Sequence, residues 1–87
     1  MSRYRIEYEP AARKTLRAIR DRRLKLTLLA ALEGLMDDPR PAGCKKLVGV
    51  VDEWRVRVGD WRIIYRIEDG RLVVLVVRVG PRKDVYR

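Results

Sequence analysis

The sequence predicts a small α+β domain in the order β-α-α-β-β-β, with two helices packed on one face of a mainly antiparallel sheet. Residues 54–65 alternate apolar and polar side chains on either side of Gly59-Asp60, as two half-buried strands joined by a tight turn would. Upstream, two segments carry apolar residues at helical spacing, and downstream residues 72–79 are almost continuously apolar. The 87 residues suffice for one domain, 1–87, with one modest core.

The first strand is predicted at residues 3–8, where apolar residues alternate with charged ones. Glu9-Pro10 opens a helix, because proline is tolerated in the first turn and a carboxylate is favourable near the helix N-terminus. That helix presents a buried stripe at i, i+4, i+7 spacing, formed by Ala12, Leu16 and Ile19. A break between the two helices is expected at residues 21–23.

The second helix is predicted from about residue 24 to residue 36, with a wide apolar stripe centred on Leu28, Leu32 and Leu35. Two prolines within residues 37–43 end it, since proline cannot continue a helix and disfavours helical geometry in the residue before it. Residues 45–48 form a short segment that could begin a strand, and residues 49–53 are expected to bend or bulge before the central hairpin.

The central hairpin has a register fixed by its turn, because Gly59 suits the positive φ at the first central position of a type II′ turn. Six alternating residues then form a core face: Trp54, Val56, Val58, Trp61, Ile63 and Tyr65. The other side carries Arg55, Arg57, Arg62 and Arg66. Arg57 falls directly opposite Arg62, a like-charge pair that is unfavourable in an isolated sheet. A bound anion would relieve it; the alternative is a solvated basic face whose side chains splay apart.

Asp69-Gly70 predicts a second two-residue turn, of type I′, that places Ile67 opposite Leu72 and Tyr65 opposite Val74. Ile63 would then face Val76. On the other face, this register sets three apolar residues of the last strand beside the basic ones: Val73, Leu75 and Val77. Such a face could be a cleft that stacks bases or docks an apolar helix, or simply a central strand that is apolar on both sides.

The composition favours an anionic partner, since 21 basic residues against 12 acidic ones give a net charge of +9. Nucleic acid is the first candidate, ahead of an anionic membrane surface or an acidic protein. The absence of histidine and the single cysteine exclude the usual zinc sites and Ser/His/Asp or Cys/His catalysis. One cysteine also excludes an intramolecular disulfide and fits a cytoplasmic location, while no apolar run or leader pattern predicts a membrane span or secretion.

Several motifs together resemble the RelE/ParE superfamily of bacterial toxins, and in particular its RelE branch. They are the D-P between helix and sheet, K-K-L-V-G, W-R-V-R-V-G-D-W-R-I-I-Y, and the closing V-G-P-R-K-D-V-Y-R. The resemblance covers nearly the whole chain. It implies a type II toxin that acts as a metal-independent endoribonuclease without cofactors, cutting mRNA in the ribosomal A site. In that reaction the 2′-OH attacks the adjacent phosphate and expels the 5′-oxygen, leaving a 2′,3′-cyclic phosphate and a 5′-OH end.

The resemblance also implies the site residues. Arg57 and Arg62 correspond to residues that stabilise the transition state, and Arg82 to one that stabilises or protonates the leaving oxygen. Tyr86 corresponds to a tail tyrosine that is the base or stacks on a codon base; the alternative is an aromatic packed on the sheet edge. The expected RNA-binding residues are Arg55, which would hold a flanking phosphate, with Arg66, Lys45, Lys46 and Lys83.

The chain departs from the family pattern in three ways that bear on the acid–base roles. The hairpin pair Arg55 and Arg57 is often lysine in the family, and arginine is a poor proton shuttle. Pro81 stands where many relatives have histidine, and the spacing between the tail arginine and tyrosine varies among relatives.

The resemblance implies two partners, an antitoxin that blocks the basic site within a toxin–antitoxin hetero-oligomer, and mRNA with rRNA on the ribosome. Two other interpretations stay open. The ParE branch shares the fold but poisons DNA gyrase, and it lacks the basic catalytic set. A basic binding module, or a homologue that has lost activity, would carry the same charge without turnover.

Overall fold

The computed structural model describes residues 3–49 and 51–81, and these form two helices packed on a five-stranded sheet. The elements follow the order β1 (Arg5–Tyr8), α1 (Pro10–Ala18), α2 (Arg22–Asp37), β2 (Lys45–Leu47), β3 (Glu53–Val58), β4 (Trp61–Glu68), a 3₁₀ turn (Asp69–Arg71) and β5 (Val73–Pro81). The spatial order of strands is β1-β5-β4-β3-β2, with β1 parallel to β5 and every other pair antiparallel. The predicted α+β class is confirmed, and Lys45–Leu47, within the segment that could begin a strand, contributes a fifth strand.

The break between the helices lies earlier than the sequence predicted. Ile19 caps α1 instead of continuing it, and Asp21 is the N-cap of α2. The Asp21 carboxylate accepts a hydrogen bond from the backbone N–H of Leu24 at 3.1 Å, which satisfies one of the free amides at a helix start. Helix α2 therefore begins at Arg22, within the segment expected to be a break.

The core lies between the helices and one face of the sheet. The helices contribute the predicted residues Ala12, Leu16, Leu28, Leu32 and Leu35, each no more than 8% exposed. The sheet contributes Val58, Ile63, Tyr65, Val74, Val76 and Val79. Each large aliphatic side chain buried in this way stabilises the fold by roughly 1.5–3 kcal/mol, so the apolar stripes account for the two-layer arrangement.

The central hairpin has the register that its turn predicted. Val58 pairs with Trp61, Arg57 with Arg62, and Val56 with Ile63. Gly59 takes a φ of +61°, the left-handed value expected at the first central position of the turn. The side chains of β3 and β4 therefore alternate as predicted, with tryptophans and aliphatic residues towards the helices.

The predicted type I′ turn at Asp69-Gly70 is wrong. A single 3₁₀ turn, Asp69–Arg71, connects β4 to β5, and Leu72 takes the left-handed conformation at φ 54°. The longer connection moves β5 by two residues, so that Ile67 pairs with Val74 and Tyr65 with Val76. Because two is a whole period of a strand, Val74 and Val76 still face the core.

A β-bulge then shifts the register again. Ile64 pairs with Arg78 while Tyr65 pairs with Val76, so Val77 is an extra residue between them. Ile63 consequently pairs with Val79 and not with Val76, as the sequence had predicted. Beyond the bulge, Val79 turns towards the core and Arg78 towards the other face.

Two sets of hydrogen bonds connect the loop between α2 and β2 to the strands and to the turn after β4. The Tyr65 hydroxyl donates a hydrogen bond to the Pro39 carbonyl at 2.8 Å, and burial raises the pKa of this tyrosine. Asp69 accepts hydrogen bonds from Tyr4 at 2.6 Å and from both terminal nitrogens of Arg40 at 3.2 and 2.9 Å. Neither described helix is long and apolar enough to cross a membrane.

Candidate functional site

Four arginines gather on the sheet face that points away from the helices. Arg55 and Arg57 lie on β3, Arg62 on β4 and Arg78 on β5, and we call this group the arginine face. Their common orientation follows from period-2 alternation, because Val56, Ile63 and Val79 beside them point into the core. Three neighbouring strands thus bring positive charge to one patch of the sheet.

Arg57 and Arg62 form the closest pair of the arginine face. Val58 and Trp61 flank the two-residue turn, so the next pair, Arg57 and Arg62, occupies a non-hydrogen-bonded position. Cα atoms at such positions are about 4.5 Å apart, and the side chains stand closer than at other positions. Arg57 is exposed, whereas Arg62 is only 3% exposed. The pair therefore holds one accessible and one buried positive charge side by side.

Arg78 is a member of the arginine face that the sequence analysis did not identify. Continuous alternation along residues 72–79 placed it on the core side, and the bulge at Val77 turns it to the side of Ile64 and Arg62. The sequence did contain a signal for this position. Regular alternation would place Arg78 in the core, and an arginine at an inward position of an otherwise apolar strand indicates a bulge.

The apolar residues that the sequence predicted beside the arginines lie there only in part. Ile64 is 4% exposed and pairs with both Arg55 and Arg78, and Leu75 pairs with Arg66. Val77 does not lie beside Arg62 as predicted, because Arg62 pairs with Gly80. The arginine face is therefore lined by apolar side chains on β4 and β5, with a glycine backbone next to the buried arginine.

Arg66, predicted to bind RNA, lies on the same sheet face but is held by a carboxylate. Its Nη2 is 3.2 Å from Glu53 Oε2 and its Nε donates to the same oxygen at 3.3 Å. The pair is partly buried. Glu53 thus neutralises part of the positive charge of Arg66.

Two of the predicted lysines, Lys45 and Lys46, lie on opposite sides of the sheet. Lys45 pairs with Arg55 and shares its face, which extends the positive patch to the edge strand β2. Lys46 pairs with Trp54 on the helix side. Its Nζ lies 3.1 Å from Asp52 Oδ2 and 5.9 Å from the centroid of the Trp54 ring. Lys46 is therefore separated from the arginine face by the sheet.

Arg82, Lys83 and Tyr86 lie outside the described residues. Their expected roles as leaving-group stabiliser, RNA contact and base or stacking residue stay predictions. Strand β5 ends at Pro81, directly before Arg82. Within residues 3–49 and 51–81, no group of three or more histidine, cysteine or acidic residues is arranged to hold a metal ion.

The chemistry available at the arginine face is electrostatic. Arginine keeps its positive charge over the whole accessible pH range and offers several N–H donors in a planar fork that matches phosphate oxygens. An anion placed beside two such groups would be attracted to both of them. The described part of the face is thus suited to binding phosphate and to stabilising charge that develops on it.

Comparison with known proteins gives relatives over almost the whole chain. Residues 6–86 match the family described as "ParE toxin of type II toxin-antitoxin system, parDE". Toxin RelG of Mycobacterium tuberculosis is 29% identical over 84 residues, which cover 97% of each chain.

Solved structures of toxins share the fold. The archaeal RelE–RelB complex from Pyrococcus horikoshii matches with a TM-score of 0.80 and 25% identity over 94% of this chain and 98% of that one. The toxin–antitoxin complex RelBE2 from Mycobacterium tuberculosis matches with a TM-score of 0.77 and 28% identity over 97% of both chains. The isolated RelE toxin from E. coli gives a TM-score of 0.77 and 26% identity over 95% of this chain and 90% of that one.

Proposed function

Since the chain belongs to the ParE toxin family of type II toxin–antitoxin systems and is close to RelE, we propose that it is a ribosome-dependent endoribonuclease that cleaves mRNA in the A site. The observation that carries this proposal is the cross-strand pair of Arg57 and Arg62. Like charges directly opposite each other are unfavourable in an isolated sheet. A phosphodiester placed between them would remove the repulsion.

The same pair favours the transition state over the substrate. A phosphodiester carries one negative charge, and the phosphorane formed by attack on it carries more. Because the attraction to Arg57 and Arg62 grows with that charge, the pair stabilises the transition state more than the bound RNA, which is the condition for catalysis. Burial of Arg62 strengthens the interaction, since water screens it less.

The reaction we propose uses the RNA as its own nucleophile. The 2′-oxygen forms a bond to the adjacent phosphorus as the bond from phosphorus to the 5′-oxygen breaks. The 2′-OH proton leaves to a base, for which Tyr86 is the candidate, and the 5′-oxygen gains a proton on leaving, with Arg82 as the stabilising or donating group. Arg55 holds a flanking phosphate. Arg57 and Arg62 supply charge stabilisation alone, since arginine transfers protons poorly.

The proposed partners follow from the same family. Its solved relatives include toxin–antitoxin complexes of RelE with RelB, and we propose that this chain likewise binds a cognate antitoxin. An acidic or amphipathic antitoxin segment would fit the arginine face and its apolar floor of Ile64 and Leu75. The substrate, mRNA on ribosomes, places the activity in the cytoplasm.

We retain poisoning of DNA gyrase as a second candidate function, because the matching family takes its name from ParE. A ParE-like chain would poison DNA gyrase and leave RNA intact. A catalytically weak homologue would bind antitoxin and do neither. The arginine face favours the RNase, because a gyrase poison has no need for paired arginines on the hairpin of β3 and β4.

The experiment is cleavage of a defined mRNA on ribosomes, with a single 2′-deoxy nucleotide at the cleavage site as the comparison. We expect the ribonucleotide message to be cut to a 2′,3′-cyclic phosphate and a 5′-OH end, and the deoxy message to stay whole. Cleavage of both messages contradicts the proposed mechanism. No cleavage of either, together with inhibition of gyrase supercoiling, assigns the second function.

A further inference from the structure

Glu53 is a carboxylate that lies on the same sheet face as the four arginines. Continuing the register of β3 and β4 by one residue beyond their last pair places Glu53 opposite Arg66. Glu53 pairs with Leu47 on its other side, and Arg66 pairs with Leu75. Residues directly opposite each other share a face of the sheet, so four side chains form one line across β2, β3, β4 and β5. We call them the mixed row: Leu47, Glu53, Arg66 and Leu75.

The mixed row lies next to two members of the arginine face. Arg55 follows Glu53 by two residues on β3, and its row continues through Ile64 to Arg78. Two residues of a strand span about 6.6–6.8 Å, which sets the distance between the two rows. The row of Arg55 and Arg78 carries two guanidinium groups, whereas the mixed row carries one guanidinium and one carboxylate. The charge of the sheet face therefore falls from strongly positive to nearly neutral over a single step.

The carboxylate of Glu53 is held by Arg66 through one of its two oxygens. Nη2 of Arg66 lies 3.2 Å from Oε2 of Glu53, and Nε donates a hydrogen bond to the same oxygen at 3.3 Å. Within the parts of the chain that the structure describes, Oε1 accepts no hydrogen bond. The Glu53 side chain is 28% exposed. Arg66 therefore orients a carboxylate whose second oxygen is available to a ligand.

Apolar side chains surround this ion pair on the sheet face. Leu47 and Leu75 flank it and are half-buried, and Ile64 in the adjacent row is only 4% exposed. A phosphate here would be repelled by the carboxylate of Glu53. A nucleobase would place its rings against the aliphatic side chains and the guanidinium plane of Arg66, and its polar edge against the second oxygen of Glu53. The mixed row therefore suits a base better than a phosphate.

We propose that the mixed row reads one nucleobase of the bound RNA, and that Glu53 favours a base with an exocyclic amino group over uracil. The nucleotide concerned adjoins the flanking phosphate assigned to Arg55, whose row lies one step away. Oε1 of Glu53 accepts a hydrogen bond from the amino group, as carboxylates do from N4 of cytosine. Uracil presents the acceptor O4 at the same place, and two acceptors repel each other. This specificity rests on the proposed function for its RNA, and Glu53 takes no part in bond breaking.

The test compares Glu53→Gln with Glu68→Gln, two variants that each remove one carboxylate from the same sheet face. Glutamine keeps the shape of glutamate, and its amide can donate to O4 of uracil as well as accept from an amino group. Glu68 lies two residues beyond Arg66 on β4 and is paired with Arg71 at 3.0 Å. Neither substitution changes a core residue, so both variants keep their fold. Single-turnover cleavage is measured on programmed ribosomes, with cytosine or uracil placed in turn at each of the two nucleotides on either side of the cleavage site.

We expect uracil to lower the wild-type rate by about tenfold relative to cytosine at one of these positions, the discrimination typical of one contact to a base edge. Glu53→Gln should abolish that difference, and Glu68→Gln should keep it. The ratio of the two rates is insensitive to net charge, since both messages carry the same phosphates. Equal rates on both bases at every position in the wild type would overturn the proposal. So would a ratio that persists in Glu53→Gln, or one that is lost equally in Glu68→Gln.

A failure of base reading can be told apart from a failure of the proposed function. Each protein is also titrated with single-stranded oligocytidylate and oligouridylate in the absence of ribosomes. If the wild type cuts programmed messages without a preference between cytosine and uracil, base reading alone is wrong. If it does not cut, but binds oligocytidylate more tightly than oligouridylate and loses this preference in Glu53→Gln, base reading stands and the nuclease assignment falls. Absence of both cleavage and preference overturns both, and loss of antitoxin binding alone in Glu53→Gln overturns base reading and assigns the mixed row to protein.

Discussion

Arg62 combines two features that a residue selected for stability alone would avoid. It is a charged side chain only 3% exposed, and it stands directly across from a second arginine, Arg57. Burial of a charge and proximity of like charges both cost free energy. Under the proposed function, the negative charge that grows in the transition state would be attracted to both arginines.

Replacing Arg62 by alanine should lower the rate of ribosome-dependent cleavage by about 10²–10³-fold, the effect typical of losing one group that stabilises an oxyanion. The rate is measured in single-turnover cleavage of programmed ribosomes. Arg71→Ala is the matched control, because it deletes the same side chain at an exposed position where the partner is Glu68 at 3.0 Å.

Because Arg62 is buried, its removal could disturb the fold, and Arg57→Ala provides the second variant. Arg57 is exposed, so its truncation leaves the core intact, and a comparable fall in rate is expected. Circular dichroism verifies the fold of both. Wild-type cleavage by either folded variant contradicts the role of the pair.

Arg78 should act as a phosphate contact. Arg78→Gln is expected to weaken RNA binding similarly for all sequences and to lower the salt slope by about one. The measurement is ribosome affinity at several salt concentrations, with Arg71→Gln as control. An unchanged slope for Arg78→Gln would mean that the bulge does not deliver this side chain to RNA.

Among the elements, β5 is the strand whose pairing register the sequence did not predict. The hairpin of β3 and β4 was predictable in register, because Gly59 permits one tight turn and alternation fixes which face is buried. The connection to β5 was not, because Asp69-Gly70 also fits a 3₁₀ turn, and Leu72 adopts a left-handed conformation that leucine rarely takes. The bulge in β5 was not predictable from the sequence either, since it depends on contacts along the whole of β4.

The loop between α2 and β2 depends on Tyr65. Tyr65→Phe should lower the free energy of unfolding by about 1–2 kcal/mol, because it removes the hydrogen bond to the Pro39 carbonyl while the ring still fills the core. Chemical denaturation of both proteins measures the difference. Equal stabilities would indicate that water replaces the hydroxyl at this carbonyl.

The connection between β4 and β5 should give the fold part of its acid sensitivity. Hydrogen bonds from Arg40, and then from Tyr4, lower the pKa of Asp69 from 3.8 to about 2. A carboxyl with a lowered folded-state pKa stabilises the fold above its unfolded pKa, and this contribution is lost as pH falls from about 4 to 2.

Asp69→Asn should therefore reduce stability at pH 6 and have little effect at pH 2. Urea unfolding midpoints of the two proteins, measured between pH 2 and 6, test this convergence. The effect should be modest, because the Asp69 side chain is 55% exposed. In an Arg40→Ala background, Asp69→Asn should change the unfolding midpoint less than it does in the wild type. A difference between the wild type and Asp69→Asn that stays constant from pH 6 to pH 2 would contradict the account.

For the whole molecule, the α+β class and a basic face on the side of the sheet opposite the two described helices were predictable from the sequence. Periodicity identified the helices, and alternation placed Arg55, Arg57 and Arg62 together. Two details of the candidate site could be seen only in the structure. Arg78 reaches the arginine face only through the bulge, and Lys46 lies on the helix side because it is paired with Trp54.

The measurement that tests this account most directly is primer extension on a defined mRNA, incubated with the purified chain in the presence and in the absence of programmed ribosomes. The account predicts cuts within the A-site codon that appear only when ribosomes are present and vanish with Arg57→Ala. Cuts of equal strength on free mRNA, or no cuts on either RNA, would contradict it, and the arginine face would then be a docking surface for another partner.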